Sequence, residues 1–167
     1  LRLTAVVCRS AGAQQWATDT LPDTVRVCPS AEALYAHAEE FDAVLVVTPH
    51  KTHPALVMQA FAHGKHVLCD KPSANALAPA LEMNRAAEKS GLVFAMMFHQ
   101  RRYKKYMRLK KLLDDGALGE IKRVQLENSR YFRTWMYHRS GSWRSSWAGE
   151  GGGALLKGLD ELLRDEL

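Results

Sequence analysis

Residues 42–72 constrain the fold more than any other stretch of this chain. They read Asp42-Ala-Val-Leu-Val-Val-Thr-Pro-His-Lys-Thr-His-Pro54, then an apolar pattern at helical spacing, then Gly64-Lys-His-Val-Leu-Cys-Asp-Lys-Pro72. The order is strand, helix, strand. Pro54 stands where a helix begins and Gly64 where it ends. A crossover of this kind makes the two strands parallel, and ligands of such sheets bind at the carboxyl ends of the strands. Lys71 is thereby placed at the mouth of a crevice. The chain contains no Gly-x-Gly-x-x-Gly to line that crevice.

The same alternation runs through residues 1–97. Strands are expected at Leu3–Cys8, Val25–Cys28, Ala43–Thr48, His66–Cys69 and Leu92–Met97. Helices are expected around Gln14–Ala17, over Ala31–Glu40 after the cap Ser30, from Pro54, over Asn75–Ser90 closed by Gly91, and over Tyr103–Asp114. This predicts an α/β fold with a parallel sheet and helices on both faces. The pattern then changes. Ile121–Phe132 alternates like a strand of a second sheet, residues 133–153 carry Trp, Arg, Ser and Gly without a period, and Leu155–Leu167 returns to helical spacing.

At 167 residues the chain suits one domain and a fraction, large enough to bury about 70% of its extended surface. The net charge of +5 concentrates near Arg101–Lys111. Tyr103, Tyr106, Met107, Leu109, Leu112 and Leu113 fall on helical spacing there, so the apolar side is expected to face the core and the charges the solvent, rather than nucleic acid. Cys8, Cys28 and Cys69 are odd in number and form no CxxC pair. They read as reduced, buried thiols, which suits a cytoplasmic protein. No apolar run approaches the ~18 residues of a membrane span. His50 with His53, or His63 with His66, lacks a third ligand in register, so no metal is expected.

Three motifs carry a resemblance. Val46-Val-Thr-Pro-His-Lys-Thr-His53, Gly64-Lys-His-Val-Leu-Cys-Asp-Lys-Pro72 and Trp143-Arg-Ser-Ser-Trp-Ala-Gly-Glu-Gly-Gly-Gly153 together resemble the Gfo/Idh/MocA oxidoreductases. These are NAD(P)-dependent enzymes, many acting on sugars and cyclitols. The resemblance implies a partial Rossmann-like domain over residues 1–119, lacking its first strand and glycine loop, and the beginning of an α+β substrate and dimerisation domain over residues 120–167. The missing elements would precede Leu1, so the chain is expected to be a truncated member. The family order would put the first strand between Leu3–Cys8 and Ala43–Thr48, and those two strands are expected to pair directly or to leave a gap filled by another segment.

The resemblance also implies roles. Lys71 is the catalytic residue, removing the hydroxyl proton or stabilising the developing charge as hydride leaves the alcohol carbon. Asp70 faces the nicotinamide ribose or forms the turn. Thr48 and Pro49 lie against cofactor phosphates and ribose, while Pro49 equally serves to end the strand. His53 reads as a cofactor contact or as a capping or packed histidine. Arg9 and Ser10 stand where an acid usually binds the ribose hydroxyls, and an Arg there tilts the choice toward NADP over NAD. His99 and Gln100 could reach substrate. Trp143, Arg144 and Trp147 line a sugar pocket or pack the domain junction. The Lys71–Pro72 bond is expected to be cis, against ~5–6% of X–Pro bonds in general.

The expected function is hydride transfer between nicotinamide and a sugar- or cyclitol-like alcohol, in a homo-oligomer, with the chain alone inactive. Where the family carries an Asp or Asn and, four residues on, a His, this chain has Lys157 and Glu161. The competing expectation is a cofactor-free relic that works as a protein-interaction module through its basic helix or its acidic Leu-rich tail; residues 157–167 are expected to form an amphipathic helix covering an exposed apolar face of the body or of a second copy.

Overall fold

The computed structural model describes residues 1–125, 127, 134–139 and 146–151. Five short strands appear: β1 (Ala5–Val7), β2 (Arg26–Cys28), β3 (Ala43–Val46), β4 (His66–Asp70) and β5 (Phe94–Met97). The helices are α1 (Ala11–Thr20), α2 (Ala31–Tyr35), α3 (His53–Ala62), α4 (Leu77–Ser90), α5 (Lys104–Asp114), α6 (Trp135–Arg139) and α7 (Trp147–Glu150). Among the described residues all strand pairing is parallel, and β1 pairs only with β2, in register Val6 with Val27. β3, β4 and β5 form a second sheet in that order. Its registers are Leu45 with Leu68 and Leu68 with Ala95. β1 and β3 do not pair and no described strand lies between them, so neither expected arrangement is met among the described residues: the strands stand in separate sheets.

Helix α2 ties the two sheets together. Ser30 caps it by accepting from the Ala33 N–H at 3.2 Å. The helix contacts both β1 and β2. Its last residue, Tyr35, enters the core of the second sheet and stacks on His63 at 4.1 Å between ring centroids. The sequence predicts this helix as far as Glu40. Instead His37 leaves helical geometry at φ −124°, and Ala38–Glu40 forms a 3₁₀ turn. That break lets Glu40 meet Arg26 of β2 at 2.8 Å.

The core lies on one face of β3–β4–β5. Val46, Val67 and Cys69 alternate inward and pack with Tyr35, Val57 and Ala60 of α3 and Met83 of α4. Each fully buried aliphatic side chain here is worth roughly 1.5–3 kcal/mol relative to exposure. Gly91, at φ 66°, takes the left-handed position that ends α4.

Three expectations need correction. The opposite face of β3–β5 is not covered by a described helix: Leu45 and Val47 are 54% and 60% exposed, because α3 and α4 pack on the same side. Helix α5 buries no residue, and Tyr103 before it and Met107 and Leu109 within it are about half exposed, because its main described contact is the 3₁₀ turn His99–Arg102 that precedes it. Residues 121–125 form no strand, since no described strand pairs with them and their backbone is left to solvent. The rest of Ile121–Phe132 apart from Glu127, and the expected helix over 157–167, lie outside the described residues.

Candidate functional site

Three segments converge at the carboxyl ends of β3, β4 and β5. The first follows β3. Val47-Thr48-Pro49 leads into a 3₁₀ turn, His50–Thr52, and then into α3 with Pro54 in its first turn. The Thr52 hydroxyl donates to the Pro49 carbonyl at 2.7 Å. A hydroxyl has one proton, so the 2.7 Å contact between Thr48 Oγ1 and Thr52 Oγ1 is a donation from Thr48. Thr48 then presents only lone pairs to anything further.

The second segment follows β4. Asp70 Oδ1 accepts from the Lys71 backbone N–H at 2.9 Å, which turns the chain at the strand end. The Lys71–Pro72 bond is cis, as the resemblance implies. Pro72 and Ala74 are buried, while Lys71 lies half-buried between strand end and solvent.

The two segments are joined by His53. Its ring is completely buried. Nδ1 lies 2.9 Å from the Pro72 carbonyl and Nε2 lies 2.7 Å from the Thr48 carbonyl. Both ring nitrogens are therefore occupied by protein. The His50 ring lies edge-on to it at 5.8 Å.

The third segment is α7. Ser146 caps it by accepting from Gly149 N–H at 3.1 Å. The helix packs on the 50–52 turn, and Asn75 Nδ2 donates to the Ala148 carbonyl at 3.0 Å. Gly151, at φ 76°, sits so close to the Asn75 backbone that a Cβ there would overlap the Asn75 carbonyl. Glu150 is buried at the same junction. Sequence reasoning missed Asn75 and Glu150. The signal available was the glycine spacing around Glu150, which marks a close backbone approach.

The remaining candidates scatter around this centre. Parallel pairing of Asp70 with Met97 puts the end of β5 beside the end of β4, so His99 and Gln100, in the turn after β5, flank the Lys71 loop. Trp147 heads α7 but is 81% exposed. Trp143 and Arg144 lie outside the described residues. Arg9 is exposed after β1, at the carboxyl end of the other sheet. Ser10 accepts from the Ala13 N–H at 3.2 Å and so caps α1.

His37, Glu39 and Glu40 bring ligand atoms within 4.8 Å of one another, but Glu40 is engaged by Arg26 and the group sits at the surface. An open polar cleft lined by Arg2, Thr4, Asp23, Arg26 and Glu40 lies at the amino ends of β1 and β2, away from the ligand end of the strands. All three cysteines are free thiols. Burial, and after it the neighbouring Asp70 charge, pushes the Cys69 thiol up to about 12. That makes it an inert core group, not a nucleophile.

Comparison with known proteins gives the following. Residues 1–98 match the oxidoreductase family model with an NAD-binding Rossmann fold, and residues 106–158 match the GFO/IDH/MocA C-terminal domain. Inositol 2-dehydrogenase of Gluconacetobacter diazotrophicus is 36% identical over 110 residues, covering 65% of this chain and 31% of the relative. The NADP(+) scyllo-inositol 2-dehydrogenase of Bacillus subtilis is 28% identical over 120 residues, covering 68% and 33%. The structure of scyllo-inositol dehydrogenase from Lactobacillus casei, with bound NAD(H) and scyllo-inositol, aligns with TM-score 0.65 and 26% identity over 71% of this chain and 35% of that one. The WlbA dehydrogenase of Chromobacterium violaceum, in complex with NADH and UDP-GlcNAcA, aligns with TM-score 0.81 over 96% of this chain and 45% of its own, at 24% identity, a likeness of fold. The chain spans about a third of the length of these curated relatives.

Proposed function

The chain belongs to the Gfo/Idh/MocA oxidoreductase family, and from that premise we propose that its residues serve hydride transfer between a nicotinamide cofactor and a secondary alcohol of a sugar- or cyclitol-like substrate. One observation carries the reading: the Asp70-Lys71-Pro72 turn stands at a parallel strand end, against the Thr48–Pro49 loop. Ligands of such sheets enter there.

Lys71 handles the proton. As hydride leaves the alcohol carbon, its amine takes the hydroxyl proton, or stabilises the alkoxide by donating to it. Thr48 accepts from ribose hydroxyls or from a nicotinamide amide, since its own proton is spent on Thr52. Asp70 orients the turn through the Lys71 N–H. Arg9 favours a 2′-phosphate, and thus NADP, at the adenosine end. His99, Gln100 and Trp147 offer substrate hydroxyls donors and an aromatic face. In relatives that turn over inositols the alcohol is a ring hydroxyl, and we extend that class to this chain.

The 167-residue chain contains no Gly-x-Gly-x-x-Gly. Pyrophosphate binding rests on backbone N–H groups at a helix start. The polypeptide by itself is therefore expected to bind NADPH or NADH weakly and to turn over no cyclitol. Micromolar affinity by calorimetry would overturn that expectation. Function is tested by a chimera in which residues 1–98 replace the matching segment of inositol 2-dehydrogenase. The chimera should reduce nicotinamide with myo-inositol, and Lys71→Met should slow it by about 10²–10⁴-fold. A folded Lys71→Met chimera within a few-fold of its parent sinks the role given to Lys71. Arg9→Asp in the same chimera should move preference from NADP toward NAD.

A further inference from the structure

The loop between β4 and α4, residues 71–76, is held at its far end by a distant part of the chain. Its near end is fixed locally, where Asp70 Oδ1 accepts from the Lys71 N–H at 2.9 Å. Its middle is anchored by the buried Pro72 and Ala74. The far end has no such local support. Ala76, the N-cap of α4, offers no side-chain acceptor to the helix. The support comes instead from 73 residues further on, where the Ala148 carbonyl of α7 accepts from Asn75 Nδ2 at 3.0 Å.

A second contact lies beside it, backbone on backbone. Gly151 ends α7 in the left-handed region at φ 76°, and a Cβ built on it would overlap the Asn75 carbonyl. Only glycine satisfies both conditions. Gly149 and Glu150 are buried at the same place. The same helix packs on the turn His50–Thr52 that follows β3. Helix α7 thus bridges the loops that follow two neighbouring strands.

We propose that Asn75 and Gly151 are positioning residues for Lys71. Together they form a seat through which the docking of α7 sets the loop 71–76, and with it the lysine, against the loop after β3. Asn75 belongs to the matched segment 1–98 and Gly151 to the matched segment 106–158. The lysine is therefore set in place only when the second segment is docked on the first. The seat takes its functional meaning from the role given to Lys71 above, and the seat itself stands without it.

The test uses the 167-residue chain without cofactor. Lys71 is acylated with a small activated ester, and Lys89, exposed on α4, serves as the internal reference. Asn75→Asp keeps the shape of the side chain and removes its donor. It should raise the Lys71 rate relative to Lys89 by about fivefold, the equivalent of one net hydrogen bond. Gly151→Ala drives a methyl into the Asn75 carbonyl and should raise the ratio at least as far. Because both substitutions break one contact, the double variant should exceed Gly151→Ala by less than about twofold. Circular dichroism matching the parent's establishes the fold of each variant, and Asn75→Asp decides the question even where Gly151→Ala does not fold. A ratio left unchanged by Asn75→Asp overturns the proposal, since a contact that only packs would lower the unfolding midpoint and leave Lys71 as reactive as before. A double variant in which the two single effects multiply overturns it as well, because the residues would then act separately. These readouts need no hydride transfer. The seat can fail while the catalytic role of Lys71 stands, and a Lys71→Met chimera that stays active leaves the seat intact.

Discussion

The two faces of the β3–β4–β5 sheet come from the same residues in alternation, yet they have opposite fates. Val44, Val46, Val67, Cys69, Phe94 and Met96 point to one side and meet α3 and α4. Ala43, Leu45, Leu68 and Ala95 point to the other, where Leu45 is 54% and Leu68 38% exposed. Both sides carry aliphatic residues, so hydropathy alone does not separate them. What differs is the helices. The α3 and α4 crossovers follow their strands on the same side, as right-handed crossovers between successive neighbouring strands must. The loop that carries Lys71 grows out of the covered side's framework, and its Pro72 is buried with it.

The contrast can be broken most directly through Met83, fully buried where α4 meets the sheet. Met83→Ala should cost about 2–5 kcal/mol in denaturant unfolding. A loss under about 1 kcal/mol would show that the covered face is loosely packed. Removing the cap of α2 tests the link to the other sheet. Ser30→Ala should cost about 1 kcal/mol, and near-neutral behaviour would mean that Tyr35 holds α2 in place unaided.

A pH series sharpens the picture of the covered side. Burial raises both the Cys69 thiol and the Tyr35 phenol to about 12 in the folded chain. In the unfolded chain both ionise earlier, the thiol from about pH 8.5 and the phenol from about pH 10. The unfolded state therefore holds fewer protons across that window, and stability should fall as pH rises from about 9 toward 12. Unfolding midpoints that stay flat between pH 8 and 11 would contradict this burial. The smallest effect belongs to the open face. Leu45→Thr should change stability by less than about 0.5 kcal/mol, as exposed substitutions do. A cost above about 2 kcal/mol would show that something covers Leu45 in solution.

Much of the site was legible in the chain because it is local. Thr48, Pro49, Asp70 and Lys71 follow strands whose apolar runs are short and bounded, so their place at strand ends follows from periodicity alone. Ser30 was readable as a cap for the same reason, whereas Ser10, expected against the cofactor, caps α1. Helix α5 misled: its spacing of Tyr103, Met107 and Leu109 promises a buried side, but spacing cannot supply the surface that would bury it.

The order of strands and helices over residues 1–97, the parallel sense of pairing and the free thiols were determined by the sequence itself, since each depends on neighbours a few residues apart. The separation into two sheets, the open face at Leu45 and the docking of Gly151 on Asn75 were decided only by tertiary structure. So was the ring of His53, which in sequence reads equally as cap, packing or ligand. Its partners are carbonyls five residues before it and nineteen after. Only the folded backbone brings those two oxygens to opposite edges of one imidazole, because hydrogen bonds between segments distant in sequence have no periodicity to betray them.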